Sequence, residues 1–241
     1  MPFHNCMRQS LIKATLLNKA VLLFGLIMLL NIGDSIAQKG KSFTGLLEYK
    51  ISSRDTALRN ILPDNSMYIY TNDTITRMEN FTDQLGMQVT IKHMEKNKSY
   101  LLLNTVAGKF AIQTDLSAQD TSKYKNKYTF RKKLFKRKFL GMKANRIMAS
   151  HPDLEEPIEF LYFKKISGKY NSTFEDFPGL PVRYSVVTAD GVIDYELVKI
   201  NPYTPNRDLF GVPSDFERVT FDEFLSRMIE SKNGGEIIPD E

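Results

Sequence analysis

The clearest chemical pattern in this chain is a basic run between positions 123 and 138, where nine Lys and Arg residues interleave with Tyr and Phe. Basic residues beside aromatic rings can bind single-stranded nucleic acid. They can also contact anionic lipid headgroups or lipopolysaccharide phosphates. The plainer interpretation is a solvated loop leading into an edge strand, where Lys discourages edge-to-edge pairing. The candidate anion-binding residues are Arg131, Lys132, Lys133, Lys136, Arg137 and Lys138.

Two histidines are the candidates for acid–base or metal chemistry after the first 37 residues. His93 falls on the apolar side of an alternating segment, which favours a core or cavity histidine over a catalytic base. His151 lies close to Asp153, but the spacing there is typical of neither a zinc nor a calcium site. The chain has no Gly-rich phosphate loop and no nucleophile elbow. We therefore predict no catalytic residue, metal or cofactor; an enzyme would need one of these histidines to face a cleft beside a carboxylate.

Two short segments, Tyr100–Leu103 and Phe160–Phe163, are apolar at every position. Such segments are typical of strands covered on both faces. One face would pack in the core, and the other would either extend that core or line a cavity that buries acyl chains at ~0.8 kcal/mol per methylene. The candidate ligand-contacting residues are Ile91, His93, Tyr100, Leu102, Phe160 and Tyr162.

The first 37 residues have the organisation of a secretory signal peptide. Three basic residues and no acidic residue precede Asp34, and an apolar run covers positions 20–32. Small residues stand at Ser35 and Ala37, where signal peptidase reads the chain. The apolar run is shorter than the ~20 residues of a spanning helix. We predict cleavage after Ala37 and a single periplasmic domain over 38–241 that is not an integral membrane protein; the alternative is an uncleaved N-terminal anchor.

The predicted exported domain has 204 residues (241 minus 37), which fits one β sandwich or barrel with a sizeable core. The first 37 residues hold three basic residues and one acidic residue, so the remainder has a net charge of +3. That balance is too mild to require a polyanionic partner, and an exported protein rarely meets nucleic acid. The single cysteine, Cys6, lies in the signal peptide, which excludes a lipid-anchored cysteine at the cleavage site and suits an oxidising compartment.

Strand patterns separated by turn residues recur along the domain. Met87–His93 alternates most cleanly, which predicts one buried and one solvated face. Leu134–Ala149 is interpreted as one strand. The further predicted strands are Phe43–Ile51, Met67–Thr71, Ile75–Phe81, Tyr100–Leu103, Phe110–Gln113, Ile158–Ile166, Val182–Thr188 and Val192–Ile200.

A helix is predicted only near the C-terminus. Thr220 and Glu223 have the spacing of a capping box, and Val219 and Phe224 that of a hydrophobic staple. Apolar residues then recur at helical spacing. An amphipathic helix that ends a β domain is expected to pack on the sheet, since its polar face is not basic enough to favour a membrane surface.

Four segments carry motifs of interest: Phe43–Tyr49 (FTGLLEY), Phe139–Ala144 (FLGMKA), Phe177–Tyr184 (FPGLPVRY) and Phe210–Phe216 (FGVPSDF). Together they resemble GLPGLI-type proteins, exported proteins of Gram-negative bacteria with no assigned activity. Val182 replaces the second glycine of the namesake motif. The resemblance implies a fold like that of the LolA/LolB lipoprotein carriers, which is an incomplete antiparallel barrel with a concave apolar face covered by helices.

These observations predict a mainly β fold, an antiparallel and partly open barrel or curved sheet with a C-terminal amphipathic helix packed on it. The function we expect is a non-enzymatic periplasmic carrier of a hydrophobic ligand, such as a lipid or a lipoprotein acyl chain. The alternative is a cell-envelope interaction module with a closed core that binds an outer-membrane or envelope protein. Nucleic acid is not expected as a partner.

Overall fold

The computed structural model describes residues 40–55, 65–82, 86–105, 107–115, 127–171, 173–174, 177–188 and 191–233. The predicted signal peptide lies outside the described residues, as do positions 116–126 and 234–241. Thirteen strands and one α-helix account for most of the described residues. The strands are β1 (Thr44–Ser53), β2 (Asn65–Asn72), β3 (Ile75–Thr82), β4 (Gly86–His93), β5 (Lys98–Thr105), β6 (Gly108–Asp115), β7 (Thr129–Lys132), β8 (Arg137–Phe139), β9 (Met142–Ser150), β10 (Ile158–Phe163), β11 (Leu180–Thr188), β12 (Gly191–Pro202) and β13 (Glu217–Val219).

All the strands belong to one large sheet, in the order β13-β6-β5-β4-β3-β2-β1-β12-β11-β10-β9-β7, with β8 also paired to β9. Among the described strands, every pairing is antiparallel except that of β13 with β6. The two end strands, β13 and β7, are not neighbours, so the sheet stays open and does not close into a barrel. The prediction of a mainly β, partly open antiparallel fold is confirmed.

The helix α1 (Phe221–Asn233) begins at the predicted cap. The Glu223 amide donates to Thr220 Oγ1 (3.3 Å), and the Thr220 amide donates to a Glu223 carboxylate oxygen (2.6 Å). Val219 and Phe224 are both buried in the core that α1 forms with β5 and β6. This packing confirms that the amphipathic helix lies on the sheet.

Within the described residues, three hydrophobic cores hold the sheet. The largest is built by β1, β2 and β9 to β12, together with the chain between β10 and β11. Gly179 lets that chain approach β10, because a Cβ there would lie 2.4 Å from the Phe163 carbonyl oxygen. A second core lies between β5, β6 and α1, on the face of the sheet that carries Leu101, which we call the front face. The third lies on the back face of β4 to β6, under Val212 and Phe216.

Burial of Gln88 on the front face corrects the expectation that β4 has one solvated face. Val89 and Ile91 are buried on the back face, as the alternation indicates, but Gln88 is buried on the front face as well. On the front face, Gln88 lies directly opposite Leu103, which belongs to the core under α1. Alternation reports neighbours along one strand, whereas burial of the second face depends on the packing of remote segments.

The predicted strand Leu134–Ala149 is also wrong. The chain pairs with β9 as β7 and again as β8, and residues 133–136 leave the ladder between them. A two-residue turn at Leu140 (φ 45°) and Gly141 (φ 76°) then reverses the chain into β9. Positive φ at both residues is the geometry of the tight hairpin turn whose twist matches the flanking strands.

Candidate binding site

A strip of polar side chains crosses the front face between two apolar regions. On one side lies the largest core, with Leu47 and Ile69 buried on β1 and β2, and on the other lies the core under α1. Between them the strand register places hydroxyl, amide and ammonium groups next to one another across β3, β4 and β5. We call this the polar strip; its members are Thr76, Asn80, Gln88, Thr90, Lys92 and Ser99.

Lys92 stands at the centre of the polar strip. It pairs directly with Thr76 on β3 and with Ser99 on β5, and both of these neighbours are buried. Directly opposed residues in a sheet have Cβ atoms about 5 Å apart. Among the described residues that the register places on the front face of β1 to β6, Lys92 is the sole charged one.

Burial lowers the pKa of the Lys92 ammonium from its ordinary value to about 8, and no neighbouring charge contributes to the shift. Desolvation disfavours the charged form of a lysine, whereas a carboxylate partner would restore it. At neutral pH the side chain is still mostly protonated. Lys92 therefore presents a positive charge with no counter-charge from the described chain, in a poorly solvated position.

Asn80 adds an acceptor to the same strip. Its Oδ1 is buried, and no donor in the described part of the chain reaches it. A buried acceptor without a partner costs about 1–3 kcal/mol, and a hydroxyl or amide donor from a ligand would remove that cost. The partly buried methionines Met78 and Met94 lie between the polar strip and the largest core. Thioether side chains adapt to irregular apolar ligands.

The interior beyond β1 is filled by aromatic rings. Tyr184 and Tyr195 stack in parallel with centroids 4.8 Å apart, and Tyr49 meets Tyr184 edge to face at 6.1 Å. Phe160 contacts Tyr184 and four further rings, including Phe174 at 5.4 Å. Burial raises the pKa of Tyr184 to about 12 and the pKa values of Tyr49 and Tyr195 well above their ordinary value. This region is a packed aromatic core.

The structure does not bring the six predicted ligand-contacting residues together. Phe160 and Tyr162 belong to the largest core, where Phe160 is fully buried among rings. Ile91, His93, Tyr100 and Leu102 lie on the back face of β4 and β5, where Ile91 and Leu102 belong to the third core. The six candidates therefore fall into two groups, with Phe160 and Tyr162 on β10 and the other four on the back face of β4 and β5.

The predicted anion-binding residues do lie close together, along β7, β8 and the chain between them. All six are exposed. Lys133 and Arg137 pair with the Glu159 carboxylate at 3.8 and 3.3 Å, and Arg146 pairs with it as well. These three cations hold the pKa of Glu159 below its ordinary range despite its partial burial. One carboxylate therefore pairs with three cations, and the β7–β8 edge of the sheet keeps an excess of positive charge.

The histidines occupy unrelated positions. Burial lowers the pKa of His93, which meets Tyr100 edge to face on the back face. His151 Nδ1 accepts a hydrogen bond from the Asp153 amide (3.2 Å), and burial lowers its pKa too. Within the described segments, no three His, Cys, Asp or Glu side chains are grouped so that they could hold a metal ion.

Sequence reasoning missed the polar strip because it assigned the front face of β4 to solvent. A signal was nevertheless present, since Lys92 follows Thr90 and Gln88 at strand spacing and small hydroxyl residues stand at Thr76 and Ser99. Only the register shows that these residues are cross-strand neighbours.

Comparisons with known proteins leave the chain without an assigned family. No family model and no curated protein matches it. Among solved structures it is similar to PNGF-II in space group C2, with 14% identity over 77% of this chain and a TM-score of 0.45. It is likewise similar to an uncharacterised conserved protein from Thermus thermophilus, with 11% identity over 73% of this chain and 91% of that one and a TM-score of 0.45. The match spans about a third (32%) of the PNGF-II chain. The resemblance to GLPGLI-type proteins stays a prediction.

The described part of the chain has no helix long and apolar enough to cross a membrane.

Proposed function

We propose that this domain is a non-enzymatic binding or carrier protein that acts outside the cytoplasm and holds an amphiphilic ligand, such as a lipid or an acyl chain with an anionic head, on the front face of β2 to β5. The observation that carries the proposal is the lone, partly buried charge of Lys92 between two apolar regions of one sheet face. An anionic head would pair with the ammonium. The acyl chain of the ligand would lie toward Met78 and Met94.

The energetics favour such a ligand over a purely apolar one. A carboxylate or phosphate beside Lys92 offsets the cost of holding an ammonium in a desolvated position, because an opposite charge favours the charged form. Each methylene removed from water adds about 0.8 kcal/mol. A ligand with both parts therefore gains from the polar strip and from the methionines beside it.

Native mass spectrometry with lipid extraction tests the proposal directly. The chain is purified from a periplasm, and we expect a co-purifying lipid of defined mass and stoichiometry. A fluorescent fatty acid is then titrated into the wild type, Lys92→Met and the matched control Lys96→Met. Lys96 is exposed in the turn after β4. Loss of one charged hydrogen bond is worth about 1.5–3 kcal/mol, so we expect Lys92→Met to weaken binding at least about tenfold and Lys96→Met to leave it unchanged.

A clean ligand-free mass together with no uptake of the probe would contradict the carrier proposal. Equal affinities for the wild type and Lys92→Met would contradict the placement of the head group.

A second function has its own supporting observation. The aromatic rings around Phe160 and Tyr184 leave that half of the domain as solid core. A closed interior suits an envelope protein that binds another protein through its surface. A ligand-free mass combined with stable capture of one purified envelope protein would favour this alternative.

A further inference from the structure

An apolar tip protrudes from the basic edge of the sheet. Lys132 pairs with Ile147 and Arg137 pairs with Ala144, so four residues of the edge chain stand opposite two residues of β9. The two surplus residues form a bulge. At its tip Leu134 is 94% exposed and Phe135 is 76% exposed, more than any other large hydrophobic residue in the described part of the chain.

The bulge is held firmly on both sides. Phe130 on β7 packs against Phe160 and Phe177, with ring centroids 6.1 and 5.3 Å apart. Phe139 on β8 packs near Phe163 (6.2 Å), with the Arg183 guanidinium over its ring. The other aromatic residues of this edge are thus anchored to the core, whereas Leu134 and Phe135 are directed away from it. The exposure of the tip is a consequence of the strand pairing on either side.

Basic residues surround the tip. Arg131, Lys132, Lys136 and Lys138 are exposed, and no ion pair joins them to any residue the structure describes. Lys143, directly opposite Lys138 on β9, is exposed too. Long basic side chains can keep their charge at a headgroup while their aliphatic stems lie along apolar surface. An apolar tip inside a ring of cations matches the layering of an anionic bilayer, which has phosphates outside and acyl chains beneath.

We propose that residues 131–138 form a membrane-docking surface, in which Leu134 and Phe135 enter the acyl boundary of an anionic phospholipid bilayer while the flanking Lys and Arg residues contact its phosphates. A second copy of this chain fits poorly, because a symmetric contact would set the same basic patch against itself. Two apolar side chains also fall far short of the ~1,000 Å² that a stable protein interface buries. The docking surface lies at the β7 end of the sheet, away from the polar strip, and does not depend on the carrier proposal.

A tryptophan reporter gives the sharpest test, because the chain contains no Trp. Phe135→Trp and the control Tyr203→Trp, at an exposed position on another part of the surface, are mixed with vesicles of phosphatidylcholine alone or with an equal part of phosphatidylglycerol. For Phe135→Trp we expect a blue shift of the Trp emission and protection from a soluble quencher with the anionic vesicles, and neither effect with phosphatidylcholine vesicles. No shift with anionic vesicles would overturn the proposal.

Vesicle co-sedimentation of the full exported chain measures the two parts of the surface separately. Leu134→Ser with Phe135→Ser should lower the partition coefficient at least about tenfold, whereas Ile229→Ser, an exposed apolar residue on α1, should not. Lys132→Glu with Lys136→Glu should abolish the preference for anionic vesicles. Lys96→Glu with Lys199→Glu makes the same change in net charge elsewhere and should retain it.

Because all the altered side chains are exposed, we expect every variant to keep its fold. Urea unfolding curves of each variant check this. Full affinity in the double-serine variant would refute insertion of the tip. Blue-shifted emission from the Phe135→Trp variant without vesicles, together with a dimer mass by light scattering, would refute the bilayer as the occupant and assign the surface to a second copy.

Discussion

The stacked pair Tyr184 and Tyr195 allows a comparison of two nearly identical substitutions. Both side chains are at most 1% exposed, and their rings lie parallel on neighbouring strands. They differ at the hydroxyl. Tyr184 Oη accepts a hydrogen bond from Asn171 Nδ2 (2.8 Å), whereas Tyr195 Oη is buried with no partner in the described part of the chain. Replacing each by Phe removes one oxygen from the same environment.

The two variants are expected to change the free energy of unfolding in opposite directions. Tyr184→Phe removes the hydroxyl that accepts a hydrogen bond from the buried Asn171 amide, which costs about 1–3 kcal/mol. Tyr195→Phe removes a hydroxyl that is desolvated without compensation, which recovers about 1–3 kcal/mol by the scale of protein mutational data. Any small void left by the lost oxygen is similar in both. The difference between the variants is therefore roughly 2–6 kcal/mol, with Tyr195→Phe the more stable.

Urea unfolding followed by circular dichroism measures this difference, provided that the dependence on urea concentration is the same in all three proteins. The double variant Tyr184→Phe, Tyr195→Phe then reports any coupling between the rings. If Tyr195→Phe destabilises the domain as much as Tyr184→Phe does, the Tyr195 hydroxyl has a partner and the reasoning is refuted.

Two further predictions concern pH. Because the pKa of Lys92 is lowered to about 8 from an ordinary 10.5, the buried ammonium costs roughly 3 kcal/mol below pH 8, and that cost disappears as the pH rises toward 10.5. Lys92→Met should therefore be more stable than the wild type at pH 7 by up to about 3 kcal/mol, and nearly equal to it near pH 10. Urea unfolding at both pH values measures this difference. A variant less stable than the wild type at pH 7 would mean that the Lys92 ammonium is paired. Burial raises the pKa of Tyr128 and Tyr184 to about 12, so the stability they contribute is complete below pH 10 and is lost between pH 10 and 12, at about 1.4 kcal/mol per pH unit for each tyrosine. Phenolate absorbance and circular dichroism should change together in that range, and ionisation of these tyrosines without loss of structure would count against their burial.

The sequence alone was sufficient for features fixed by neighbouring residues. The capping box of Thr220 and Glu223 forms as predicted, because its atoms lie within one helical turn. The alternation in β4 correctly predicts that Val89 and Ile91 are buried. Turn residues and β-favouring side chains likewise located the strands, within a few residues, except between β7 and β9 and at β13, which was not predicted.

The tertiary structure decided what depends on distant partners. Pairing of β1 with β12 and of β13 with β6 joins parts of the chain that no local pattern relates. The register of β3, β4 and β5 placed Lys92 between the buried Thr76 and Ser99, in a strip that alternation assigned to solvent. The pairing of β7 and β8 with β9 also broke a predicted strand at residues 133–136, because the edge chain has two more residues than β9 can pair. Burial and register are properties of the assembled sheet, and both candidate surfaces follow from them.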